Sequence, residues 1–374
     1  MGYINHIYIS EVRNIHNIEL TLHKRHVVFT GRNGSGKTSI IEAIRGQLLR
    51  LSAGNTTSID SDLQGVTLQF VEGEEELRKN VQAGEFLIAC YTAEREYKAA
   101  NGKHIERIDL QESYGIMEKP GLEFVKYLVD LKTKEALYKS NDKAEQAVRI
   151  ARWFDNFKGI LRKIFDDEQL EMDFDIETFA FAIRQQGKKP FSFAQLSSGY
   201  AAVLDIVTDI IIRMEKHHSG VYDMPGIVLI DEIEAHLHLS LQKNIFLLLT
   251  GLFPNIQFIV TTHSPFVLSS AKDAIIYDLE KNLCVDTIEG LTNLTYSGIV
   301  EGYFDSEELA QELMRKYERF QELAKKDNFT DDDYEELGTL QTYLDAIPDY
   351  LTLRIAAGYQ KTKLELYARL EADG

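Results

Sequence analysis

The chain has 374 residues, 44% hydrophobic and 27% charged, enough for roughly two to three domains and too apolar for a disordered chain. Its 41 Lys and Arg against 59 Asp and Glu leave a net charge of −18, which excludes nucleic-acid binding by bulk charge; phosphate contacts would need a local basic patch or a partner. Cys90 and Cys284 are too few for a disulfide framework or a cysteine metal site, and no apolar run approaches the ~18 residues of a membrane span. Residues 1–6 read as the start of a strand and not as a signal peptide, and His6 breaks a myristoylation pattern. A cytoplasmic protein without membrane contact is expected.

In chain order, residues 4–9, 18–22 and 27–30 read as strands. The first alternates apolar and polar side chains; the third is continuously apolar, as a buried central strand would be. After a Gly-rich turn, residues 38–50 place Ile40, Ile41, Ile44 and Leu48 on one face of a helix. Residues 51–62 read as a polar loop, and strands are expected at 66–71 and 86–91. Residues 98–118 are polar and irregular. From 121 to 165 two amphipathic helices, around Tyr127 and Trp153, read as an insertion projecting from the core, without the heptads of a coiled-coil arm. Strand character returns at 170–174 and 179–183, and a helix at 198–216. Apolar runs at 227–230 and 257–260 flank a helix starting near Leu239, a βαβ pattern with its functional ends at the strand C-termini. Residues 305–370 read as three acidic helices. The expected division is a core of residues 1–100 and 165–300, a helical insertion at 101–164, and an acidic helical region at 301–374. The fold class is α/β, a mixed sheet with flanking helices.

Three constellations carry chemistry. Gly31-Arg32-Asn33-Gly34-Ser35-Gly36-Lys37-Thr38, followed by Ser39, matches G-x-x-x-x-G-K-[ST] between a continuous strand and an amphipathic helix. There the glycines turn backbone N–H groups toward phosphates, Lys37 neutralises β/γ-phosphate charge and the Thr38 hydroxyl ligates Mg²⁺. The run 226–230 ends in Asp231 and Glu232; Asp231 is assigned to Mg²⁺ and Glu232 to polarising the attacking water. Two acids at the end of a buried strand are costly without a cation, so the cation is part of the inference. Ser197, Ser198 and Gly199 open a helix about thirty residues before this strand, and Thr261-Thr262-His263-Ser264-Pro265 lies about thirty after it. His263 is placed against the γ-phosphate. His236 and His238 read as a dimer-contact loop, with a metal site the lesser reading. The basic clusters 23–26 and Arg184, Lys188, Lys189 read as solvated surface, with phosphate contact the lesser reading.

This order, with Asp231-Glu232-Ile233-Glu234-Ala235-His236-Leu237-His238 and the short Val12-Arg13-Asn14 turn before the P-loop, resembles ABC-type ATPase heads of the SMC, RecF and OLD-like branch. The layout is closest to Septu-type and retron-associated antiphage ATPases. The resemblance implies a mixed-sheet head and two ATPs sandwiched between two copies in a homodimer or higher oligomer. Ser197, Ser198 and Gly199 of one copy would then meet the γ-phosphate held by the other. Tyr200 stands where the family usually has Gln or Glu. Gln69 and Arg95 are the candidates for a residue approaching the nucleotide from another strand. The implied function is a nucleotide-dependent dimerisation switch in antiphage defence, controlling a partner nuclease or other toxic effector. The alternative is a RecF- or SMC-like clamp acting on DNA without an effector. Residues 300–305 match the acidic start of a TOPRIM nuclease domain, with Asp331-Asp332-Asp333 as its later acids, but the chain after them offers helices and no strands.

Overall fold

A computed structural model describes residues 2–53, 65–95, 105–286, 307–326 and 329–345, with Tyr359, Thr362, Lys363 and Leu366. The chain divides into two units, Met1–Thr292 and Asn293–Gly374. The first runs β1 (Ile4–Val12), β2 (Ile15–Thr21), β3 (His26–Thr30), α1 (Lys37–Ala53), β4 (Val66–Phe70), α2 (Glu74–Gln82), β5 (Leu87–Tyr91), α3 (Phe124–Ser140) and α4 (Ala144–Phe165). It continues with β6 (Glu171–Asp175), β7 (Ala180–Arg184), β8 (Phe191–Ser192), α5 (Ser198–His218), β9 (Gly226–Ile230), α6 (Leu239–Gln242), α7 (Ile245–Leu252), β10 (Ile256–Thr261), α8 (Pro265–Ser270), β11 (Ala274–Asp278) and β12 (Leu283–Asp286).

Alternation in β1 buries Ile7 and Ile9 while Tyr8 and Ser10 face out, so it sits in a one-sided antiparallel sheet of order β2-β1-β4. The continuously apolar β3, β9 and β10 enter a second sheet of order β12-β11-β3-β10-β9-β5, parallel except for the edge strand β12. Ile40, Ile41, Ile44 and Leu48 of α1 fill the space between the sheets, against Ile7 and Ile9 on one side and Val27, Ile227 and Ile259 on the other. A buried amide ties the sheets at their start: Gln257 accepts from the Ile4 N–H and donates to the Ile4 and Arg25 carbonyls, each at 2.9 Å. Because β3 lies between β10 and β11, with β9 beyond β10, the loops leaving β3, β9 and β10 open side by side at the C-terminal edge of the sheet.

The helical pair α3–α4 does not project from this core. Phe124, Trp153 and Phe157 form a buried aromatic cluster, with Trp153 stacked on Phe157 at 5.5 Å. Glu215 of α5 accepts hydrogen bonds from Trp153 Nε1 (2.6 Å), Tyr127 Oη (2.9 Å) and Ser219 Oγ (2.8 Å). Burial raises the Glu215 carboxyl above its ordinary value, and these donors oppose that rise. Trp153→Ala both opens a cavity and removes one donor, so it should destabilise by about 3–5 kcal/mol in urea unfolding. A loss under about 1 kcal/mol would show that the cluster does not hold the pair in place.

The second unit contains α9 (Glu307–Ala324) and α10 (Asp331–Asp345), joined by Phe320, Leu323, Leu337, Leu340 and Leu344. Arg319 forks onto both Glu336 oxygens at 2.9 Å. Asp333 is taken up by Lys326 and by the N–H and hydroxyl of Thr330. The stretch 300–305 lies outside the described residues. Among the described residues no helix is long and apolar enough to cross a membrane.

Candidate nucleotide-binding site

The loop after β3 takes its shape from glycine at the positions that need it. Gly31 and Gly36 have φ of 142° and 102°, and a Cβ at Gly36 would meet Ile15 Cδ1 at 2.7 Å. The Arg13-Asn14 turn braces this loop from the first sheet. Asn14 Nδ2 donates to the Gly34 carbonyl at 3.0 Å, while Arg13 Nη1 reaches Ser39 Oγ at 2.9 Å and Glu42 at 3.1 Å. Lys37, 5% exposed, donates from Nζ to the Gly31 and Arg32 carbonyls at 2.8 and 3.0 Å. Burial depresses its pKa, and Glu232, Glu234 and Asp231 pull the other way. Arg32 meets Glu280 through its backbone N–H and side chain, and Asn33 and Gly34 are exposed. The Ser35 hydroxyl is buried without a hydrogen-bond partner among the described residues, a donor placed inside the loop.

The acidic turn after β9 meets this loop directly. Thr38 Oγ1 donates to Asp231 Oδ2 at 2.8 Å, and Thr261 Oγ1, at the end of β10, donates to Asp231 Oδ1 at 2.6 Å. The Glu232 N–H donates to the same Thr261 hydroxyl at 2.7 Å, and the Ile233 N–H to the Thr261 carbonyl at 3.0 Å. Glu232 is held at φ 46°, an uncommon left-handed setting for a side chain of this size. Thr38 is the donor in its hydrogen bond to Asp231, so its oxygen keeps lone pairs for a cation. A hydroxyl beside a carboxylate is an all-oxygen donor set of the kind that suits Mg²⁺.

Arg95 lies beneath the turn, not against a phosphate position. Its Nη2 donates to the Asp231 and Glu232 carbonyls at 2.8 and 2.7 Å, and its Nη1 to the Ile233 carbonyl at 3.1 Å. Burial lowers its pKa to about 10 against the pull of Glu234, Asp205, Asp231 and Glu232, so the guanidinium stays charged at neutral pH. Arg95→Ala strands three buried carbonyls and should cost about 3 kcal/mol in urea unfolding, of which Arg95→Lys recovers less than half. Full recovery by Lys would mean that the charge, and not the fork, holds the turn.

His263 follows β10 with its side chain half exposed; its ring Nδ1 lies 3.0 Å from Glu234 Oε1. Ser197 precedes α5 without a capping bond of its own, and Ser197 and Ser198 are exposed. Gly199 is packed on the loop after the acidic turn, where an added Cβ would lie 3.3 Å from the His236 carbonyl. Tyr200 stacks on Phe165 at 4.3 Å, which anchors the helix start in the core. Gln69 is not brought to the P-loop: it is exposed on β4 opposite His6, beside His23 and Lys24. His26 leaves the basic cluster, because its half-buried ring accepts the Phe258 N–H and desolvation lowers its pKa to about 4. Arg184 is spent on Asp173 and Lys188 on Gln185. His236 and His238 are exposed, and among the described residues no cluster of metal-ligand type is present. Thr261 and Glu234 were not singled out by sequence reasoning, although each lies inside a motif that was.

A strand, glycine loop and helix facing an acidic strand end, on a sheet that is parallel apart from its antiparallel edge, make up a P-loop nucleotide-binding fold. Residues 125–269 match the family described as "AAA domain, putative AbiEii toxin, Type IV TA system". The chain is similar to the Septu protein PtuA of Bacillus mycoides, 26% identical over 97% of this chain and 55% of that protein. It is also similar to the "Retron Ec83 probable ATPase" of Escherichia coli, 33% identical over 49% of this chain and 33% of that one. The chain thus spans about half and a third of these two relatives' lengths. Among solved structures, the Pyrococcus furiosus Smc head domain bound to the C-terminal domain of ScpA superposes with a TM-score of 0.44 at 15% identity, over 78% of this chain and 98% of that one.

Proposed function

We propose that this chain binds ATP with Mg²⁺, hydrolyses it, and acts as a nucleotide-dependent dimerisation switch. The observation that carries the reading is the joined pair Thr38–Asp231, with Thr261 fixing Asp231 and the Glu232 backbone in one stroke. Residues 31–39 would wrap the phosphates, Lys37 would exchange its two carbonyl partners for phosphate oxygens, and Thr38 and Asp231 would hold the Mg²⁺. That ion neutralises charge on the β- and γ-phosphates when bound. Glu232 orients the attacking water, and His263 meets the γ-phosphate from the neighbouring strand end. The exposed Ser197 and Ser198, with Gly199, would contact the γ-phosphate bound by a second copy, closing a homodimer or a larger assembly.

Similarity to the Septu and retron proteins supports an antiphage setting in which the switch controls a nuclease or other toxic effector. Light scattering with and without Mg²⁺ and ATP, together with phosphate release, tests this. The expected result is turnover and a doubling of mass before hydrolysis. A monomer in all nucleotide states would remove the switch, and absence of turnover would remove the enzyme.

A further inference from the structure

Glu234 lies two residues past Glu232 and is 4% exposed. Its Oε1 takes two contacts from one residue: the His263 backbone N–H at 2.6 Å and the His263 ring Nδ1 at 3.0 Å. A carboxylate oxygen 3.0 Å from a ring nitrogen repels a lone pair there and attracts an N–H, which favours the proton on Nδ1. The other ring nitrogen, Nε2, is thereby left at the far edge of a ring whose side chain is 51% exposed. The second oxygen, Oε2, is buried and has no hydrogen-bond partner among the described residues. A buried, half-satisfied anion is expensive, and an apolar side chain of the same volume would pack more favourably. The cations Lys37 and Arg95 both feel the Glu234 charge, which offsets part of that cost. Packing therefore does not account for Glu234, whereas the double contact to one histidine does.

We propose that Glu234 is a positioning residue for His263: it fixes the Nδ1–H tautomer and the ring orientation, and so presents Nε2 toward the γ-phosphate position. This deepens the ATPase reading above and rests on it. The backbone hydrogen bond and the ring contact act on different parts of His263. The backbone contact fixes where β10 ends and the loop begins, and the ring contact fixes rotation about the side chain. Both come from one oxygen, so displacing Glu234 releases them together. Glu232 and Glu234 thus divide the work of the turn, one facing the water and the other holding the histidine.

The test uses the whole chain labelled with ¹⁵N, with the His263 imidazole signals assigned by their absence in His263→Gln. Nucleotide-free protein should show the Nδ1–H pattern at His263, and Glu234→Ala should replace it with the Nε2–H pattern. In turnover assays Glu234→Ala should lower kcat by about 10–100-fold, the range for outer-shell partners of an active histidine, with the KM for ATP unchanged within about twofold. Glu234→Gln keeps an oxygen able to accept both N–H groups, so it should retain the Nδ1–H pattern and most of kcat. Persistence of the Nδ1–H pattern or of parental kcat in Glu234→Ala overturns the proposal, as does a Glu234→Gln protein as slow as Glu234→Ala. If the parent protein itself hydrolyses no ATP, the ATPase reading fails, and the tautomer comparison still decides the part assigned to Glu234.

Discussion

Glu232→Gln should bind ATP as tightly as the parent and turn it over at least about 100-fold more slowly, the contribution expected of a positioned base. The substitution preserves shape. The backbone N–H still meets Thr261 Oγ1 and the carbonyl still meets Arg95, so the left-handed turn survives. Only the negative oxygen that would order the water is lost. With phosphates held and hydrolysis blocked, the ATP-bound dimer should accumulate, read as a doubled mass in Mg²⁺ and ATP that persists for hours. Hydrolysis by Glu232→Gln at the parental rate would take the water away from Glu232 altogether.

Lys37→Ala should abolish ATP binding, raising Kd by about 100-fold or more, equivalent to one or two charge-assisted hydrogen bonds of about 1.5–3 kcal/mol each. Lys37 is buried beside Glu232, Glu234 and Asp231, and it donates to two carbonyls of its own loop. Removing it takes that donor from the Gly31 and Arg32 carbonyls and leaves three acids facing a bound triphosphate without a counter-charge. Titration with a fluorescent ATP analogue measures the loss, and circular dichroism checks that the chain still folds. A Kd within about threefold of the parent would mean that the glycine loop grips something else, or that the phosphates lie elsewhere.

Local pattern carried the strands well, because continuous apolar runs such as 27–30, 227–230 and 257–260 have few other ways to be buried. It carried less where tertiary contacts choose the outcome. The pair α3–α4 is amphipathic whether it projects or lies flat. What lays it on α5 is Glu215, whose donors Tyr127 and Trp153 are 88 and 62 residues away in sequence. The helix expected near Leu239 is split into α6 and α7 around Lys243 and Asn244. Arg95 could be read as a phosphate contact or a surface ion pair, since nothing local says that its partners are carbonyls 136 to 138 residues on. Thr261 and Glu234 are similar cases. Their types are ordinary at a strand end, and only the adjacency of β9 and β10 turns them into a brace for Asp231 and a holder for His263. Gln69 lies on an alternating edge strand whose face no sequence signal orients toward the P-loop.

Helix α5 has 21 residues, so it is about 30 Å long, with Ser198 at one tip and Glu215 near the other. Its middle is stiffened by Asp209, which takes Arg213 at 2.8 Å, Tyr91 Oη at 2.7 Å and the Gly121 N–H at 2.9 Å. The aromatic cluster at Trp153 and the paired serines are thereby mounted on one continuous helix, about its full length apart.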